Sequence, residues 1–110
     1  MVKNKVIEIV KYLSEKLQAN GVEVADIIIF GSQARGDAKR DSDIDLIIIS
    51  DSFKGKNIFE RAEMVGPAEM AAIKKYLVPF DIIMKTKQEY ISGKSIIVGY
   101  AMEDGISVGQ

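Results

Sequence analysis

Asp43 and Asp45, two residues apart, are the side chains in this sequence best suited to chemistry. They open an aliphatic run, Leu46-Ile47-Ile48-Ile49. The run is short and rich in β-branched residues, and turn residues bound it, so it reads as a buried strand. Side chains alternate faces along a strand, which puts Asp43 and Asp45 on one face and Ile44 on the other. Two like charges on one face, followed by aliphatic residues, repel one another and are poorly solvated. A cation between them would remove that cost. Carboxylate oxygens suit Mg²⁺ or Mn²⁺, with the remaining positions left to water and phosphate oxygens. A solvated polar strand entry could carry the same sequence, so the pair alone does not decide.

Ten residues separate Asp43 from Gly31-Ser32, a pair that ends a second such run, Ile27-Ile28-Ile29-Phe30. Gly31 permits backbone conformations and a close approach that a Cβ would block. Ser32 can cap a short helical turn begun by Gln33-Ala34-Arg35, and its hydroxyl can bond a phosphate oxygen. A helix start carries roughly half a positive charge, which favours an anion there. Arg35 and Lys39 or Arg40 add mobile positive charge nearby. Taken alone, a Gly-Ser pair is an ordinary turn, and Arg40 and Asp41 are solvated loop charges. Together, the turn offers N–H groups to phosphate and the carboxylates offer a seat for a metal, the two parts needed to handle a nucleoside triphosphate.

The span as a whole, GSQARGDAKRDSDID, with Ala34-Arg35-Gly36-Asp37-Ala38 inside it and Ser42-Asp43-Ile44-Asp45-Leu46 at its end, resembles the signature of the nucleotidyltransferase superfamily that includes DNA polymerase β. It is most similar to the minimal, stand-alone branch of that superfamily, whose members are about this length. The resemblance implies that Gly31 and Ser32 bind triphosphate, that Asp43 and Asp45 hold two divalent ions, and that a third carboxylate arrives from a later strand. Asp81 is the candidate, inside the apolar run Val78-Pro79-Phe80-Asp81-Ile82-Ile83-Met84, where Pro79 is tolerable only near a strand start or on an edge. An ionised aspartate in such a run is unusual unless paired or coordinating something. Asp26, Asp51 and Asp104 lack this context and read as turn or helix-end residues.

The resemblance further implies a nucleoside monophosphate, AMP from ATP, passed to a hydroxyl with release of pyrophosphate. Two Mg²⁺ ions would be shared among Asp43, Asp45 and Asp81, with Arg35 beside the phosphates. Similar minimal proteins serve as antitoxins that adenylylate a helical HEPN partner. A non-catalytic binding module of the same fold, or a small-molecule nucleotidyltransferase of the aminoglycoside-modifying kind, remains open on the sequence.

Composition narrows the rest. The 110 residues suit one domain with one core. Fifteen basic against sixteen acidic residues give a formal charge of −1, which argues against nucleic-acid binding through bulk charge. Histidine and cysteine are both absent, which excludes imidazole bases, thiol nucleophiles, disulfides and thiolate zinc sites. No run reaches the ~18 apolar residues of a membrane span and no signal-peptide layout opens the chain, so a soluble, cytoplasmic protein is expected. Abundant isoleucine, lysine and glutamate are of the kind found in thermophilic proteins.

The elements that must position the site follow from periodicity. Val6, Ile9, Val10, Leu13 and Leu17 predict an amphipathic helix over 3–19, stopped by Asn20-Gly21. Strands are predicted near 25–30, 44–50 and 79–85, with a helix over 57–77 broken or kinked at Gly66-Pro67. Helical stretches follow at 87–92 and about 95–104, then a short last strand at Ile106-Ser107-Val108. The expected fold class is α/β (α+β), a small mixed sheet flanked by helices. Ser92-Gly93-Lys94-Ser95 looks like the end of a P-loop, but that pattern needs a glycine where Gln88 stands. Met64, Met70, Tyr76 and Tyr100 read as packing residues, with Tyr76 the one that could line a nucleotide pocket.

Overall fold

The computed structural model describes residues 2–39, 42–92 and 104–109. Helix α1 runs over Asn4–Ala19 and buries Val6, Ile9, Val10, Leu13 and Leu17, the apolar spacing read from the sequence. Its end is a Schellman motif. The Val22 N–H donates to the Leu17 carbonyl at 2.9 Å and the Gly21 N–H to Gln18 at 3.0 Å, with Gly21 left-handed at φ 84°.

Four strands make one sheet among the described residues: β1 (Asp26–Phe30), β2 (Ile44–Ile49), β3 (Phe80–Lys85) and β4 (Ile106–Ser107), in the order β3-β2-β1-β4. β1 pairs antiparallel with both β2 and β4, while β2 and β3 are parallel. A parallel pair needs a long crossover, and helix α3 (Ile58–Tyr76) supplies it. The sheet is the mixed one expected, with α2 (Gly31–Arg35) and α4 (Lys87–Ser92) as short helices at strand ends and a 3-10 turn at Asp51–Phe53.

The two sheet faces differ. Ile27, Ile29, Ile44, Leu46 and Ile48 enter the main core with the α1 residues and with Val65, Ala68 and Ala72 of α3. Ile28, Ile47 and Ile49 point the other way, into a smaller cluster with Phe30, Ile83 and Tyr90. Strand alternation puts Asp45 on this second face.

Helix α3 is not broken at Gly66-Pro67. It runs unbroken through Pro67 for 19 residues. Proline removes one helical hydrogen bond, and its ring crowds the preceding residue's Cβ, but that residue is Gly66 and has none. A capping box secures the start: Asn57 accepts from the Glu60 N–H and Glu60 from the Asn57 N–H, both at 2.9 Å. A second box opens α4, where the Thr86 N–H donates to Glu89 Oε1 at 2.8 Å and the Glu89 N–H to Thr86 Oγ1 at 3.2 Å. Arg61 clasps the same carboxylate with two bonds, 2.7 and 3.0 Å, and ties α3 to α4. That guanidinium, with help from the Thr86 N–H, holds the Glu89 carboxyl down to about 2.

Asp26 is the first residue of β1 rather than a turn residue, and its carboxylate pins β4 by accepting from Ser107 Oγ and from the Gly109 N–H at 3.0 Å. Tyr76 packs against the main core, on the sheet face away from Asp45. Its hydroxyl donates to Glu8 at 2.9 Å and its ring meets Tyr12 edge-on at 5.5 Å, between α1 and α3. Met64 packs against the core and Met70 is exposed. The helix expected from about residue 95, Tyr100, Gly93-Lys94-Ser95, Arg40 and Asp41 lie outside the described residues. Among those described, no helix is long and apolar enough to cross a membrane.

Candidate active site

The strand register sets Phe30, Asp45 and Asp81 side by side in one row across β1, β2 and β3. Adjacent strands lie about 4.8 Å apart and paired residues share a face, so the Asp45 and Asp81 carboxyls are neighbours. This is the sheet end where β1 finishes and where β2 and β3 begin. Asp43 lies one residue before β2, next to Ser42, whose Oγ accepts from the Lys39 N–H at 2.8 Å.

Asp45 is partly buried, whereas Asp43 and Asp81 are exposed, so the expectation of an acid sunk in an apolar run fails for Asp81. The reason is position. Asp81 is the second residue of an edge strand, open to water. Burial raises the Asp45 carboxyl above the usual carboxylate range, the negative charges of Asp81 and then Asp43 add to the rise, and Arg35 opposes it. Three charged neighbours therefore act on Asp45. Among the described residues no three acids close into a ready-made metal cage. The donor set still fits a divalent cation: hard carboxylate oxygens gathered at one sheet end, where a cation would offset the burial and like charge that oppose ionisation of Asp45.

Gly31 is the first residue of α2, with φ +70°, and a Cβ there would strike Asp45 Oδ2, with the Asp45 Cγ only 3.2 Å away. The glycine thus serves Asp45 as well as any ligand, a constraint the sequence reading missed. Its signal was the placement of a glycine directly after the strand that pairs with the aspartate strand. Ser32 does not cap α2. The N-cap is Phe30 and no side chain bonds the helix start. At five residues α2 has little macrodipole, so any attraction for phosphate rests on the Ser32 hydroxyl, free backbone N–H groups and Arg35. Arg35 is exposed and its Nε donates to Asp37 at 3.3 Å, an ion pair that leaves most of the guanidinium free.

Several solved structures share this fold. A candidate nucleotidyltransferase from Sulfolobus solfataricus superposes with a TM-score of 0.67 at 24% identity, over 94% of this chain and 78% of that one. A toxin–antitoxin complex with AMP-PNP follows at 0.65 and 18% identity, over 94% and 73%. A mutant MntA–HpeT toxin–antitoxin pair, with two aspartates two positions apart changed to glutamate, gives 0.59 and 16%, over 100% and 75%. No curated protein matches the sequence. The family model of the nucleotidyltransferase domain matches residues 6–99, most of the chain, so this protein belongs to that family and is a nucleotidyltransferase.

Proposed function

We propose that the protein transfers a nucleoside monophosphate, AMP from ATP, to a hydroxyl of a protein partner of the HEPN type, with release of pyrophosphate. The observation that carries this reading is the row that sets Asp45 beside Asp81, with Asp43 and Arg35 within electrostatic reach. The toxin–antitoxin context of two fold relatives, one holding AMP-PNP and one altered at paired aspartates, supports the choice of nucleotide and partner.

Asp43, Asp45 and Asp81 would hold two Mg²⁺ ions, which neutralise the triphosphate and acidify the acceptor hydroxyl when bound. The rest is the work of the chain. Gly31 keeps the Asp45 carboxylate free of steric conflict, while Ser32 and Arg35 orient the phosphates. The acceptor oxygen bonds to the α-phosphorus as the bond to the bridging oxygen breaks. Pyrophosphate leaves with that electron pair, and the exposed Asp81 receives the acceptor proton. Such a site works by positioning and charge.

Exposure of Asp43 and Asp81 favours one second reading, because exposed acids burden a dead module little. In that reading the fold silences a partner by stoichiometric contact. Asp81→Asn separates the two. If transfer is the function, turnover collapses by orders of magnitude while ATP affinity changes far less and the partner still binds. A mutant that binds and fully silences the partner would establish the contact mechanism instead.

A further inference from the structure

Helix α3 is apolar on two sides. Val65, Ala68 and Ala72 face the core. On the outer side Phe59, Ala62, Gly66, Met70, Ile73 and Leu77 recur at steps of three or four, which at about 100° per residue confines them to an arc of about 80°. Phe59 is 76% exposed, Met70 52% and Leu77 84%. Scattered exposed apolar residues are ordinary, but a continuous stripe is not. Leu77 is doubly unfavourable, because it also ends the helix in the left-handed region at φ 55°, where glycine or asparagine fits without strain.

We propose that this stripe is the surface on which two copies of the chain pair, through antiparallel α3 helices related by a two-fold axis at the level of Ala68. The sequence of α3 is complementary to itself in that register. Phe59 of one copy meets Leu77 of the other, and Met70 meets Gly66. Beyond its chain neighbours and the backbone of its own helix, nothing lies within 4 Å of where a Gly66 Cβ would stand, so the glycine leaves an open notch for the methionine. Glu63 and Lys74, both exposed, flank the same edge of the stripe, and antiparallel pairing sets each Glu63 beside the other copy's Lys74. Parallel pairing would oppose like charges and stack Phe59 on itself. Glu69, on the opposite edge near the axis, comes close to its own copy and is the one unfavourable pair. This is the self-complementary patch an isologous dimer requires. The stripe lies on the far side of α3 from the core, while Asp45 lies on the sheet face that α3 does not cover, so pairing leaves both carboxylate sets open.

Light scattering or sedimentation across a concentration series tests this on the full chain. We expect a dimer in which Met70→Glu raises the dissociation constant by about tenfold or more. Glu63→Lys should weaken pairing several-fold, Glu63→Lys with Lys74→Glu should restore it, and Glu69→Gln should tighten it. Glu63, Met70 and Lys74 are exposed and Glu69 is half-buried, and circular dichroism melts check that each variant folds. A single-chain mass at every concentration, a dimer indifferent to Met70→Glu, or a charge swap without rescue would overturn the proposal. So would a chain that stays monomeric and uses the stripe only for a foreign helix.

Discussion

Replacing Gly31 by alanine should damage the site through Asp45 rather than through any ligand, and the cost can be worked out in two parts. The left-handed backbone at φ +70° costs a non-glycine residue about 1–2 kcal/mol. The new methyl group would also collide with the Asp45 carboxylate, whose Cγ sits 3.2 Å from the Cβ position, an overpacking of about 1–3 kcal/mol. Gly21 provides the control. It has φ +84° and open space around it, so Gly21→Ala should cost only the first part. Urea unfolding should therefore place Gly31→Ala about 1–3 kcal/mol below Gly21→Ala, a difference of roughly 4 °C in Tm per kcal/mol for a domain of this size. A double-mutant cycle isolates the contact. Adding Asp45→Ala to Gly31→Ala should recover the collision cost and leave the backbone strain, a coupling well above the ~0.5 kcal/mol of independent sites. Additive effects would refute the claim that Gly31 exists to admit Asp45.

Three further outcomes are expected. Because burial and its acidic neighbours raise the Asp45 carboxyl, its ionisation works against folding, so without metal Asp45→Asn should be more stable than wild type at pH 7. That gap should close as pH falls below the usual carboxylate range, and urea melts at both pH values would show it. Mg²⁺ with ATP at a hundred times its dissociation constant should stabilise wild type by about 2.7 kcal/mol, and Asp45→Asn should lose most of that gain in a thermal melt. Glu89 has the opposite sign. Its native value of about 2 lies below the ordinary 4.5, so its stabilisation is present above that ordinary value and is lost as pH falls toward about 2. Glu89→Gln should remove this part of the acid sensitivity in a pH series of denaturation curves.

Much of the fold is legible in the sequence because periodicity and punctuation agree. The α1 stripe ends at a glycine that its Schellman motif uses, and the three aliphatic strands sit within a residue or so of their expected ends. Of the break or kink expected at Gly66-Pro67, the break does not occur, because proline's effect depends on its neighbours. Gly66 relieves the clash, and packing by Val65, Ala68 and Ala72 holds the helix on both sides. The capping box Asn57-Ile58-Phe59-Glu60 and the outer stripe of α3 were both written in the sequence and could have been found by spacing alone. Strand pairing is a tertiary matter. Nothing local says that β2 and β3 run parallel, or that Asp45 falls opposite Asp81 rather than one residue away, which would turn Asp81 to the other face. Exposure of Asp81 likewise follows from β3 being an edge, which only the assembled sheet decides.

The central claim is that the carboxylates at this sheet end carry out nucleotidyl transfer. Its most direct test is to incubate the protein with Mg²⁺, ATP labelled on the α-phosphate, and a lysate of its own source, then follow label and pyrophosphate together. The account predicts one labelled protein species formed with stoichiometric pyrophosphate, abolished by Asp45→Asn or by chelation of the metal. Label that transfers equally well with Asp45→Asn, or a partner silenced with neither label nor pyrophosphate appearing, would contradict it.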